Sequence, residues 1–223
     1  MDRELPVKKF MLICAIVNFG AGSRVLKIAK KSGVSGGTIF LGTGTGKNPI
    51  LAAFDLNDVR KEVVVMVAEE PCGQAAMEAV GREMHMHRAN HGVIFAMPLA
   101  GVFGVAHNRC RCAPLKKSGG DYMYSAIFTI VDKGKAENVI DAATRAGARG
   151  GTIINARGSG IHETQKLFSM NIEPEKEVVL VVAEKELTQA ITEAIRADLQ
   201  IDQPGKGIIF VQEIDSAYGL SQG

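Results

Sequence analysis

The chain has no tryptophan, and aromatic residues make up only 5% of its 223 positions. Stacking platforms for bases or sugars are therefore scarce. Its four cysteines are Cys14, Cys72, Cys110 and Cys112, and the start Met1-Asp2-Arg3-Glu4-Leu5-Pro6 lacks the basic, apolar, small-residue order of a secretory signal. A disulfide framework is thus not expected, and the expected location is cytoplasmic. No apolar run reaches the roughly 18 residues that a membrane span needs. A formal net charge of +2 is too close to neutral to argue for a nucleic-acid partner. Catalytic signatures are missing too: there is no nucleophile elbow and no HExxH. Gly46-Lys47 invites a phosphate-loop reading, but Leu41 stands where its first glycine belongs and Asn48 where its Ser/Thr belongs. The chain is not expected to be an enzyme.

What the chain does have is a repeat. Gly36-Gly37-Thr38-Ile39 followed by Gly44-x-Gly46 returns 114 residues later as Gly150-Gly151-Thr152-Ile153 followed by Gly158-x-Gly160. Each copy carries the same succession of patterns. In the first, residues 10–17 are a continuous apolar run that reads as a buried strand. Ser23 is a candidate N-cap, Val25, Leu26, Ile28 and Ala29 mark a helical face, and Gly33 closes the helix. A strand over 37–41 leads into an excursion over residues 42–61. A β-branched strand follows over 62–68, then a helix from Cys72 to His87, then a strand over 92–97. The second copy gives strands over 124–131, 151–155, 177–183 and 207–211. Its helices are marked by Ala136, Val139, Ile140 and Ala143, and by Ala190, Ile191, Ala194, Ile195 and Leu199. Its excursion runs over 156–176.

After the excursion the displacement becomes 115, as Lys61-Glu62-Val63-Val64 against Lys176-Glu177-Val178-Val179 shows. A strand resists an inserted residue, because the slip turns every side chain to the wrong face. A loop tolerates it. The length change therefore supports the excursion as a loop. The expected organisation is an α+β tandem duplication of a βαββαβ unit, with one domain over 8–104, a linker over 105–122 and a second domain over 123–219.

The doubled unit with a long excursion between its second and third strands resembles the PII signal-transduction family. The residues carrying the resemblance are Gly33-Val-Ser-Gly-Gly-Thr38 and Gly147-Ala-Arg-Gly-Gly-Thr152, the glycine pairs after them, and the late turns Gly92-Val-Ile-Phe95 and Gly205-Lys-Gly-Ile-Ile-Phe210. The resemblance covers nearly the whole chain apart from the lead and linker. It implies a ferredoxin-like fold with antiparallel sheets and a homo-oligomer, a trimer in most members. It also implies a small anionic effector, an adenine nucleotide such as ATP, ADP or AMP, and a loop that reaches an enzyme or a membrane transporter.

Carried over by position, the effector contacts fall at Gly36, Gly37, Thr38, Gly44, Gly46, Asn90 and Gly92. In the second copy they fall at Gly150, Gly151, Thr152, Gly158, Gly160, Gly205 and Gly207. Glycine lets backbone N–H groups approach phosphate oxygens closely. The pattern departs from the family at the cations. Val93 and Ile208 stand where a lysine begins the last strand. Gly104 and Ala106, and Gly219 and Ser221, stand where a pair of arginines follows it. Lys47, Arg157 and Lys206 are the cations placed to compensate in part. The loops contain no tyrosine for a nucleotidylation switch.

Two alternatives stand beside this reading. One is a metal-binding or metal-tolerance protein, resting on His87 and His91 (with His85 close by) and on His107, Cys110 and Cys112. The helical spacing points His85 and His87 apart, and no resident metal is assigned. The other is an oligomeric scaffold that binds nothing small.

Overall fold

The structure, a computed structural model, describes residues 9–44, 59–104, 123–160, 165–167, 170–215 and 217. The chain divides into two compact units.

The first unit comprises Met11–Met97 together with Ala156–Gly160. Strand β1 (Phe10–Asn18) leads to helix α1 (Gly22–Lys31), then β2 (Gly37–Gly44), β3 (Val59–Glu69), α2 (Glu70–Glu83) and β4 (Val93–Pro98). Sheet order is β4-β1-β3-β2, which places each helix in a crossover on one face. That is the ferredoxin-like arrangement. β2 and β3 are antiparallel, with Thr38 opposite Val65 and Gly44 opposite Val59. Val25, Leu26, Ile28 and Ala29 of α1 are buried with Ile13, Ala15 and Val17 of β1 and Val64 and Met66 of β3. Each of the Val, Leu, Ile and Met side chains among them contributes roughly 1.5–3 kcal/mol on burial. Gly33 has φ +94 and its N–H donates to the Lys30 carbonyl, so it closes α1 as the sequence predicts.

Two local expectations need correction. Ser23 does not cap α1: the helix starts at Gly22 with no side-chain cap of its own. Its first N–H donates instead to the Glu62 carboxylate, at 2.6 Å, from β3. The second helix does not run to His87. It begins two residues earlier, at Glu70, with Pro71 in its first turn, and ends at Glu83, because His85 takes φ +53 and breaks the ladder.

The second unit comprises Met1–Phe10, Pro98–Asn155 and Ile161–Gly223. It contains β5 (Gly101–Phe103), β6 (Tyr124–Asp132), α3 (Ala136–Arg145), β7 (Thr152–Ser159), whose last residues belong to the first unit, and a hairpin of β8 (Gln165–Leu167) and β9 (Met170–Ile172). It continues with β10 (Glu175–Glu184), α4 (Lys185–Leu199) and β11 (Ile208–Ile214). The order β7-β10-β6-β11 repeats that of the first unit. β10 and β11 both run antiparallel to β6. The core gathers Ile127 and Val131 of β6, Val139 and Ala142 of α3, Ile191 and Ile195 of α4, and Ile209 and Val211 of β11.

Three features were not expected from sequence. The β8–β9 hairpin lies inside what reads as plain loop over 156–176. The strands on either side of both excursions run several residues further into them. And β5, the segment directly after the last strand of the first repeat, adds itself antiparallel to β11, with Phe103 opposite Ile209, Val102 opposite Phe210 and Gly101 opposite Val211. The compact units therefore cut the chain after Met97 rather than at the linker. Residues 105–122, including His107, Cys110 and Cys112, lie outside the described residues.

Candidate functional site

The repeat is exact enough in space to superimpose its contacts. A Cβ on Gly92 would stand 2.5 Å from the Ile16 carbonyl oxygen, and one on Gly207 2.6 Å from that of Ile130. Both glycines have left-handed φ, so only glycine lets the last strand start against the end of the first. Glu62 takes the N–H of Gly22, and Glu177, its counterpart, takes those of Gly134 and Ala136. Lys61 reaches Asn18 at 2.5 Å as Lys176 reaches Asp132 at 2.5 Å. A carboxylate from the third strand thus closes the N-terminus of the first helix in each repeat, where both the orphan N–H groups and the helix dipole favour it.

Within one repeat, the predicted contacts separate into two groups. Thr38 faces Val65 and Gly44 faces Val59 along the same ladder, so they stand six positions apart, about 20 Å at strand rise. Gly44, Asn90 and Gly92 share one end of the first unit's sheet. Asn90 receives a bond from Asn18, and the Phe19 N–H donates to Arg60 at that same end. Gly36, Gly37 and Thr38 sit at the other. In the second unit, Gly205, Lys206 and Gly207 share the end at which Gly207 meets Ile130, whereas Gly151 lies against Leu180 and Ile140, near Gly150 and Thr152 at the opposite end. Gly46 and Lys47 lie outside the described residues.

The first group meets the second repeat instead. Gly37 is opposite Ser159, Thr38 opposite Gly158 and Ile39 opposite Arg157. These glycines owe their identity to close packing. A Cβ on Gly37 would stand 2.5 Å from Leu26 and 2.8 Å from the Val65 carbonyl oxygen, and one on Gly158 would stand 2.4 Å from the Gly37 oxygen. Their backbone lies in strand ladders rather than lining an open cradle. Gly150 and Gly205 have open space where a Cβ would be, Gly160 is exposed, and Gly36 is half-buried before β2. Arg157 crosses this junction. It pairs with Glu62 at 2.8 Å and reaches the Ser23 hydroxyl at 3.4 Å. The Glu62 side chain is only 1% exposed.

Among the described residues, the other end of the first unit, at the base of the excursion, gathers two cations. Arg60 and Lys61 begin β3 there, beside Asn18 and Phe19 at the end of β1. The Arg60 guanidinium lies 3.8 Å over the Phe19 ring, and Phe19 is 50% exposed. Asn90 and Gly92 form the adjoining turn. Sequence reasoning missed Phe19, Arg60 and Lys61, because it weighed glycines rather than charge. The signal available was the contrast between copies. Asn18, Phe19, Arg60 and Lys61 become Asp132, Lys133, Glu175 and Lys176. The first set carries two cations and no carboxylate. The second neutralises itself through Lys133–Glu175 at 2.7 Å and Lys176–Asp132 at 2.5 Å. The Glu175 carboxylate holds the Lys133 ammonium above the ordinary lysine range.

The histidines draw closer than their spacing implies, since the helix ends before them. The ring of His85 lies 6.0 Å from that of His87 and 6.2 Å from that of His91, and His91 Nδ1 approaches the Met84 carbonyl. Among the described residues no group of three or more His, Cys, Asp or Glu side chains is arranged to hold a metal ion. Nor is any helix among them long and apolar enough to cross a membrane.

Comparison with known proteins places these observations. Residues 124–223 match the family described as Nitrogen regulatory protein P-II. No curated protein matches the chain. Among solved structures, the chain is similar to GlnK of B. subtilis in its ATP complex, with 24% identity, 42% of this chain and 83% of that chain covered, and a TM-score of 0.34. A second structure of B. subtilis GlnK gives 22% identity, 41% and 85% coverage, and a TM-score of 0.32. The ligand-free regulatory subunit of aspartate kinase from Thermus thermophilus gives 12% identity, 85% and 92% coverage, and a TM-score of 0.38.

Proposed function

We propose, from the match of its second repeat to the family described as Nitrogen regulatory protein P-II, that the chain is a regulatory, non-catalytic protein whose first repeat senses a small anionic effector. The effector is an adenine nucleotide, and its site is the end of the first unit that carries Phe19, Arg60, Lys61, Gly44, Asn90 and Gly92. The observation that supports this reading is the charge contrast between the copies among the described residues: two cations and no carboxylate in the set Asn18, Phe19, Arg60 and Lys61, two closed ion pairs in its counterpart. Charge-assisted bonds to phosphate are the strong ones. Arg60 over Phe19 adds a flat, half-exposed surface on which a base can lie. Arg60 and Lys61 stand beside the 45–58 segment in sequence. An anion neutralising them changes the charge that this end of the unit presents to a partner enzyme or transporter. The chain acts in the cytoplasm as a homo-oligomer, a trimer of two-repeat chains.

Calorimetry with ATP, ADP, AMP and cyclic AMP tests the effector. At least one gives a saturable heat with the native chain, and Arg60→Ala and Lys61→Ala each weaken it about tenfold or more, the worth of one charge-assisted bond. Silence with all four nucleotides removes the effector reading. Binding that survives both substitutions moves the site elsewhere.

A further inference from the structure

Asn18 ends β1 at the charged end of the first unit, and both halves of its amide are engaged. Lys61 Nζ donates to its Oδ1 at 2.5 Å, and its Nδ2 donates to the Asn90 carbonyl at 3.4 Å. An ammonium has only protons to give and a carbonyl only lone pairs, so the two neighbours fix which way the amide points. An amide serves both of them, where a carboxylate serves only the ammonium. The bond to Lys61 holds the ammonium in place without cancelling its charge. The bond to Asn90, which takes φ +65, ties the turn before β4 to the same side chain.

The second copy keeps the backbone of this arrangement and changes its chemistry. The Phe19 N–H donates to the Arg60 carbonyl at 3.2 Å, and the Lys133 N–H donates to the Glu175 carbonyl at 3.4 Å. Gly205, the counterpart of Asn90, is left-handed too, at φ +79. The residue at the place of Asn18, however, is Asp132. Its carboxylate takes Lys176 at 2.5 Å, as Asn18 takes Lys61, but it cancels the charge and has no N–H for the turn. On like backbones, the exchange of amide for carboxylate decides whether the lysine near the start of the third strand keeps a net charge.

We propose, resting on the reading of this end as the anion site, that Asn18 is a positioning residue which, through Lys61, decides that the first repeat rather than the second takes the anion. The second copy is then the same site closed by Asp132 and Glu175. A phosphate group that reaches the first copy meets an ammonium already oriented, and displaces at most a neutral acceptor. In the second copy it has to compete with a carboxylate at each cation, at Lys176 with Asp132 and at Lys133 with Glu175. Charge-assisted bonds to phosphate form readily in the first case and at the expense of an existing ion pair in the second.

Calorimetry of the full chain with ATP and with inorganic tripolyphosphate reads the exchange in both directions. Asn18→Asp copies the second repeat and is expected to weaken both probes about tenfold or more, because the carboxylate takes Lys61 and repels the phosphate. Asn18→Ala removes the positioning without adding charge, and is expected to cost clearly less. The reverse exchange, Asp132→Asn with Lys133→Phe and Glu175→Arg, is expected to add a second saturable site per chain, a gain that damage to the fold cannot imitate. Unchanged affinity in Asn18→Asp overturns the role of Asn18, as does an Asn18→Ala defect of equal size or a reverse variant with no added site. Each of those results leaves the anion site itself standing, provided the native chain binds. A native chain that binds neither probe sinks the anion site and the role of Asn18 together. Binding of tripolyphosphate without ATP sinks the nucleotide alone, and the exchange is then read with tripolyphosphate.

Discussion

Glu62 and Glu177 occupy the same place in two copies of one unit, yet their surroundings differ. Glu62 is buried and shares its carboxylate between the Gly22 N–H and the Arg157 guanidinium. Glu177 is half-exposed and accepts from the backbone N–H groups of Gly134 and Ala136. Removing one partner of a buried pair leaves an uncompensated charge in a poor dielectric, which costs about 3 kcal/mol or more. Removing a cap that water can replace costs about 1 kcal/mol. Arg157→Ala is therefore expected to lower the urea midpoint well beyond Glu177→Ala, and equal shifts would show that Glu62 is solvated after all. Cys14 provides a test at the same scale. Burial pushes its thiol above the ordinary value, so the folded chain holds the proton more tightly than the unfolded one. The resulting stability is complete below the ordinary thiol pKa and is lost as pH rises towards the raised one. Iodoacetamide at mildly alkaline pH should modify the half-exposed Cys72 before Cys14 in peptide maps of the folded chain. Equal labelling would place Cys14 at the surface.

Among the elements, β2 and β5 are the ones whose positions decide most. Gly37 and Gly158 let two strands pass at a distance that no side chain permits. Gly158→Ala puts a methyl group 2.4 Å from a carbonyl oxygen that a strand ladder holds in place, so a loss of about 2 kcal/mol or more is expected from overpacking. Gly42→Ala, with its nearest neighbour at 3.8 Å, is expected to be nearly silent. Denaturation of the pair separates packing from glycine entropy. β5 belongs to the first repeat by sequence and to the second unit by structure. Phe103 lies in the second core, with Arg196 4.6 Å over its ring. Phe103→Ala should cost about 3 kcal/mol and speed amide exchange in α4 while leaving α1 unchanged. Faster exchange in α1 instead would assign β5 to the wrong unit.

At the scale of the whole molecule, duplication gives the chain two copies of one fold and frees them to diverge. The first copy keeps cations at the base of its excursion and, among the described residues, has β4 as its outermost strand. The second closes its ion pairs and covers its edge with β5. The βαββαβ order, the helix-closing glycines and the in-register repeat were all legible in sequence, because each rests on local periodicity or on a turn that needs glycine. The candidate site was legible only in part. Asn90, Gly92 and Gly44 share one end of the first unit's sheet with Phe19, Arg60 and Lys61, whereas Gly36 to Thr38 stand at its far end.

By itself, then, the sequence determined the fold of each repeat and its doubling, since hydrophobic period, strand length and turn chemistry are properties of neighbouring residues. Tertiary structure alone decided that β5 joins the other repeat's sheet, that Glu62 caps a helix forty residues away and is closed by Arg157, and which end of the sheet gathers charge. Those outcomes depend on register between distant strands and on burial, and no window of consecutive residues contains either.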